Sequence, residues 1–541
     1  MKKIYLKSVA LVAFMALSTN VMANDIYVSV SGNDANSGAS ADQALATLNA
    51  AVEKAISGDV IKVTGTVKVS ETVFLDSFGS LTIEGTGSVE DCRLDGQNKV
   101  QILNVLNTDL TLKNLTLRRG KVEAEKNARG GAMWCRGKAV TISGCVFERN
   151  NTPYRQEDNG GAIFCTDGTL NIFNSEFNQN AAYRGGAIEA QVSTLNISNT
   201  TFSKNNTFAD EATSAPVGQA NGGALAIGKC WTKLTYVTIK ENGSQGRGGA
   251  IKIWTDDQEG KYFTLESCAI IDNEGGGPGG AFSLDLNKDG NFQLNVRSTT
   301  ISGNHTTGAG GVLCIENATS NPAQQLNFVN CTITGNYTAN NTGNSGGFMS
   351  HGGSKIQAHL NFVNTILEGN YSSQGWADAR FARGVAESGG PDYVYVWNTI
   401  IGHAFQDAND GALTNVWDSD INTTMQPREN PLTAGLVADI VEDCYPLQAD
   451  SRSLTMGSLA KAAEFGVTRD QKGQLWTRPY LGAVQLVEGD QIPAVPSGIV
   501  EVNAEGRQPQ VLEGIYTMNG VRVERATKGL YIYNGKKIVL K

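Results

Sequence analysis

Residues 130–150 read GGAMWCRGKAVTISGCVFERN, residues 160–180 GGAIFCTDGTLNIFNSEFNQN and residues 185–205 GGAIEAQVSTLNISNTTFSKN. The three lines superpose end to end. Each opens on a glycine pair (Gly130-Gly131, Gly160-Gly161, Gly185-Gly186) and closes on an asparagine (Asn150, Asn180, Asn205). Further glycine pairs start at 222, 248, 279, 310 and 346, answered by Asn242, Asn273, Asn304, Asn336 and Asn370. Eight copies spaced 25 to 37 residues apart mean one solenoid rather than several globular domains.

The phase of the repeat selects the solenoid. Three residues before the asparagine stand Phe147, Phe177, Phe202, Ile239, Ile270, Ile301, Ile333 and Leu367. Eight and ten residues before it, aliphatic and aromatic side chains recur with a polar residue between them, as in Val140-Thr141-Ile142 and Leu170-Asn171-Ile172. That is period two, the signature of a strand with one buried face. Five residues before the asparagine the side chain is small, and the spacing breaks alternation, so a bend is expected there. Short strands separated by Gly and Asn turns stack into an all-β, right-handed parallel β-helix, with handedness taken from the crossover preference of parallel strands. The glycine pair permits a backbone that a Cβ would obstruct, and the asparagine is expected to take the left-handed turn position.

Outward from the repeat, the remaining chain falls into recognisable pieces. Lys2, Lys3 and Lys7 precede the apolar run 8–17, and Val21-Met22-Ala23 offers a cleavage site, so residues 1–23 read as a signal peptide. Nothing later is apolar enough to span a bilayer. The net charge of −9 argues against nucleic acid or anionic lipid as a partner. Nine cysteines follow the leader without any CxxC pair, and most fall in repeat positions that suit a small core filler. Leu45, Leu48, Val52 and Ile56 mark one face of a short helix ending at Gly58, suited to plugging the open end of the coil. Pro493, Pro496, Gly498, Gly506 and Pro509 mark 487–510 as a linker, and Asn519-Gly520 and Asn534-Gly535 give the tail 511–541 the turns of a small β module.

The GGA[IL]…FxxN pattern resembles the repeat of the polymorphic outer-membrane-protein family of β-helix surface proteins. Residues 26–63 resemble the opening segment of pectate-lyase-like β-helix proteins. Residues 445–485 resemble the closing segment of exported "choice-of-anchor" proteins, although Leu481-Gly482-Ala483-Val484-Gln485 departs from its usual ending. Residues 514–541 resemble C-terminal sorting modules of Bacteroidetes surface proteins. These resemblances imply a pectin-lyase-like fold with first coils over 24–128, repeat coils over 129–372, and last coils with a closing segment over 373–486. They also imply a destination at the cell surface, outer membrane or exterior, reached through export machinery that handles the C-terminal module.

Chemistry is harder to read. GxSxG, Walker, HExxH and GxGxxG-type motifs are absent, as are the paired aspartates of polygalacturonase-like hydrolases. Asp285-Leu-Asn287-Lys-Asp289-Gly has the start of a calcium loop, without the glutamate that completes an EF-hand. Asp256, Asp257 and Glu316 fall at similar phase in neighbouring copies, so the coil could stack them with Asp285, Asn287 and Asp289 into an acidic edge holding Ca2+. Lys252, Lys288 and Arg297 are the bases that a lyase acting on an acidic polysaccharide would use there. Tryptophans near the coils offer faces for sugar rings, although packing accounts for most of them. No catalytic residue is identifiable. The sequence reads first as a non-enzymatic, adhesin-like scaffold binding glycan or a surface protein along its lateral face. A calcium-dependent polysaccharide lyase or glycosidase is the rival, and a purely structural passenger the third reading.

Overall fold

The computed structural model describes residues 23–122, 128–156, 158–209, 216–255, 260–286, 291–315, 324–339, 349–351, 359–373, 375–376, 378, 394–402, 416–418, 424–425 and 434–493, and four strands between 515 and 540. The leader 1–22, most of the linker and most of the acidic edge lie outside the described residues. Each copy of the repeat makes one winding of a parallel β-helix. Met133–Arg136, Ala139–Ser143 and Val146–Glu148 are the strands of the first full copy, and a two-residue strand such as Ala181–Ala182 follows in later ones. Equivalent strands pair in parallel, in register, with the winding before and after, as in Val140↔Leu170↔Leu195 and Phe147↔Phe177↔Phe202. The first and second strands of every winding share one 22-stranded sheet, and the third strands form a 13-stranded one.

Alternation decides what fills the prism. Residues ten, eight and three before the asparagine point inward and are buried along the column, Phe147, Phe177 and Phe202 with no exposure. Those three rings stack face to face at 4.7 and 4.8 Å, the spacing the strands impose. Each such side chain contributes about 1.5–3 kcal/mol by leaving water. All nine cysteines are buried, and all nine are free thiols.

The asparagines do something other than expected. The left-handed residue is the one just before each of them: Arg149, Gln179, Lys204, Glu241 and Asp272 have φ between 53° and 56°. The asparagine itself faces inward and works through its amide. Asn180 Oδ1 accepts from the backbone N–H and the side-chain Nδ2 of Asn150, both at 3.0 Å, while its own Nδ2 donates to Phe147 O at 2.9 Å. The chain of bonds repeats to Asn370, whose Nδ2 donates to a buried carboxylate, Asp378. The ladder thereby supplies acceptors and donors to turn backbone that faces the core in these windings. The expected bend lies six residues before the asparagine, at Gly144, Asn174, Asn199, Tyr236, Ser267 and Ser298, all left-handed. In the glycine pair, Gly160 has φ 66°, and a Cβ on Gly161 would run into the backbone of Gly186 and Ala181.

The N-terminal end and one side of the coil are covered. Helix α1, Leu48–Lys54, is capped by the Thr47 side chain and buries Leu48 and Ala51 against the first windings. It stops before Gly58, and Ile56 is 50% exposed, so Ala51 takes the place expected of it. Along one side, residues 434–493 fold back as a strap over several windings. It bonds to the left-handed bend, where Ser267 Oγ donates to Asp470 O at 2.9 Å, Asn364 Nδ2 to Ser458 O at 2.9 Å and Asn398 Nδ2 to Met456 O at 3.0 Å, and to the third strand row, where Thr238 Oγ1 donates to Asp443 at 3.2 Å and the Ala483 N–H to Thr332 Oγ1 at 3.0 Å. Helix α2, Leu459–Glu464, is capped by Ser458, and Ala462 and Val467 cover Val329 and Val363. The strands Ile515–Thr517, Arg522–Val523, Gly529–Tyr533 and Lys536–Leu540 form a separate antiparallel sheet. Among the described residues no helix is long and apolar enough to cross a membrane.

Candidate functional site

The outer face of the second strand row carries the features that could meet a ligand. Its first column, eleven residues before the asparagine, holds Ala139, Thr169, Thr194 and then Trp231 in successive windings. Three small side chains followed by a large one leave a trough of about 290 Å³. The turns Gly137–Ala139, Asp167–Thr169 and Val192–Thr194 line it, and the indole of Trp231 stands at one end. At about 4.8 Å per winding, the distance from Ala139 to Trp231 is roughly 14 Å.

The turn conformation exposes this lining. Gly137, Asp167 and Val192 are left-handed, at φ 91°, 53° and 50°. A β-branched residue at such a φ is costly, and Val192 holds it while 39% exposed. Trp231 is 38% exposed. Its Nε1 donates to Gly260 O at 3.1 Å, and the buried ammonium of Lys261 sits against its ring. The charges around the trough are matched: Lys138 pairs with Asp109 at 3.5 Å and Arg136 with Asp167 at 3.4 Å. Hydroxyls of Thr169 and Thr194 complete a nearly neutral lining, while the turn N–H groups and the buried Ser193 hydroxyl bond within the coil. Hydroxyl-rich neutral rings with an apolar face suit that combination.

Two residues further along the strand, a ladder of amides follows the same face. Asn196 Nδ2 donates to Asn171 Oδ1 at 2.9 Å, Asn327 Nδ2 to Asn295 Oδ1 at 2.9 Å and Asn361 Nδ2 to Asn327 Oδ1 at 2.7 Å. Lys233 interrupts it and is paired with Glu266 at 3.0 Å. Past Asn361 the face turns aromatic, with His359 stacked on Tyr395 and Tyr395 on Trp397.

Of the residues singled out in the sequence, Asp256, Asp257, Asn287, Lys288, Asp289 and Glu316 lie outside the described residues. Asp285 ends a first-row strand and pairs in register with Trp254, which puts it on the same outer face as Lys252, one strand over and two residues along. Lys252 is buried and donates to Ser283 Oγ at 3.1 Å. Arg297 stands in the second row, in register with Glu266, so the two described base candidates belong to different rows. Among the described residues no group of three or more metal-ligating side chains converges. Trp134 and Trp254 are half-buried, Trp134 beneath the Arg129 guanidinium.

One group escaped the sequence reading. Glu189 occupies the outward position held by Trp134 and Phe164 in the preceding windings, yet it has no exposure. Gln191 Nε2 donates to it at 2.6 Å, and the Asn159 amide, turned to donate, lies 3.1 Å from its other oxygen. Burial pushes its carboxyl up to about 7, against the pull of Gln191, Arg184 and Arg129. Reading that one column across copies, Trp134-Phe164-Glu189-Ala226, would have exposed it.

No family model and no curated protein matches the sequence. Among solved structures, XylC in its complex with xylose is 10% identical with a TM-score of 0.39, covering 85% of this chain and 98% of its own. The pectate lyase Pel9A is 13% identical with a TM-score of 0.36, covering 86% of this chain and 97% of its own. Neither likeness carries ligand or activity across.

Proposed function

We propose that the protein is an exported, adhesin-like scaffold that binds a neutral glycan on its lateral face and performs no chemistry on it. The trough closed by the exposed indole of Trp231 carries this reading, since an aromatic face beside hydroxyls is what a sugar ring needs. The leader 1–23 and the module 511–541 fit delivery to the cell surface or exterior, with the export machinery as the partner of the module. The test is affinity electrophoresis of the full chain through a panel of neutral and acidic polysaccharides. Trp231→Ala is expected to weaken retention about tenfold, the order of one stacking contact. Equal retention of both proteins on every glycan overturns the reading.

The competing reading is a calcium-dependent lyase or glycosidase acting on an acidic polysaccharide. The shared outer face of Lys252 and Asp285 supports it. Incubation with uronate polysaccharides and calcium decides between the two. Growth of the ultraviolet absorbance of an unsaturated product would establish the lyase, release of reducing ends without it the glycosidase, and neither signal with retained glycan binding the scaffold.

A further inference from the structure

The trough is blocked at one end, and this bears on what part of a glycan it takes. Its floor exists because Ala139, Thr169 and Thr194 are short, and it stops where the same column delivers Trp231. The indole is not a loose flap. Its N–H is fixed on Gly260 O at 3.1 Å, and the buried Lys261 ammonium holds its ring. The other end carries only the half-exposed pair of Lys138 and Asp109. A chain lying along the helix axis in this trough therefore meets a fixed wall after roughly three windings, or about 14 Å. An internal stretch of polymer would have to climb over the ring, losing contact with the floor.

We propose that the trough recognises the terminus of a neutral glycan, one or two sugar rings with the end ring against Trp231, rather than an internal stretch. This rests on the glycan-binding reading above. On the floor of the trough Lys138 and Arg136 are each paired with a carboxylate, which favours an uncharged ring there. Exposed, left-handed Val192 supplies an apolar patch beside the wall, where the CH face of that ring would lie.

The experiment titrates the full chain calorimetrically with a β-glucan, a xylan, a mannan and a galactan, each intact and cut to defined short chains. End recognition gives an affinity per chain that is constant from about two sugars upward, and a binding capacity per gram that rises as the chains are shortened. Thr169→Trp, which fills the floor and leaves the wall intact, abolishes binding, with thermal unfolding confirming the fold. An affinity per chain that climbs through six or more sugars, or binding that survives Thr169→Trp, overturns the proposal while leaving glycan binding in place. Absence of heat with every glycan at every length overturns the glycan reading itself.

Discussion

The indole of Trp254 lies across the Cα of Gly228, its in-register partner on the neighbouring winding, so closely that a Cβ on residue 228 would overlap ring atoms Cε2 and Cζ2. The other first-row strands place Arg136, Thr166 and Gln191 at the position of Gly228. The glycine and the tryptophan therefore belong together.

Gly228→Ala is expected to destabilise the protein by about 1–3 kcal/mol, because the indole is displaced rather than merely crowded. Trp254→Ala removes the obstacle, so the double variant should be more stable than the sum of the two single losses indicates. Thermal unfolding of the four proteins reads this coupling. Strict additivity would mean that the ring moves aside without cost.

Asn180 serves two neighbours at once, accepting from Asn150 and donating to Asn205 Oδ1 and Phe147 O. Asn180→Ala strands buried groups on both sides and should cost about 2–4 kcal/mol. Amide exchange at Asn150, whose N–H loses its acceptor, should accelerate more than exchange at distant windings such as Asn304. Uniform acceleration along the coil would argue against a local role.

Glu189 makes stability depend on pH. Its folded carboxyl titrates at about 7 because burial disfavours the charge, while the unfolded chain titrates near the ordinary 4.5. The folded state therefore holds the proton more tightly, and the stabilisation is full below the unfolded value and is lost as pH rises through about 7. Glu189→Gln should remove much of that decline, on the order of 2–3 kcal/mol between the two limits. Glu368, also raised to about 7 by burial and by the nearby charge of Asp378, leaves a residual slope of the same sign. Melting temperatures measured from mildly acidic to mildly alkaline buffer test this; a slope identical in wild type and Glu189→Gln excludes it.

The thiols should be inert in the native protein. Burial pushes Cys145, Cys230, Cys268 and Cys331 up to about 12, and all nine cysteines are buried. A thiol reagent at neutral pH should label almost nothing until denaturant is added, and then label all nine. Prompt labelling of any of them in the native state would place that side chain at the surface.

The columns that point inward were legible in the sequence because they repeat in every copy. Val140, Ile142 and Phe147 have counterparts in each winding, and period two needs only local spacing. The trough was not read, because it exists only across copies. Ala139, Thr169, Thr194 and Trp231 are each unremarkable alone, and the change from small to large side chains shows only when the copies are aligned on their asparagines. The strap left a signal too. At the strand position held by Ser143, Phe173 and Ser198 in early copies, the last described copies carry Val329, Val363 and Trp397 in succession, an outward apolar stripe that calls for a cover. The calcium-like run at Asp285–Asp289 lies mostly outside the described residues, which reach only Asp285 of its three oxygen donors.

The strap also sets the order of events when the chain matures. Residue 482 bonds to residue 364 and residue 470 to residue 267, so the windings are buttressed by chain synthesised long after them. A chain lacking its last hundred residues would leave Val329 and Val363 bare, an apolar stripe open to proteases and to other chains. The windings are thus sealed along this stripe only by the piece that is made last.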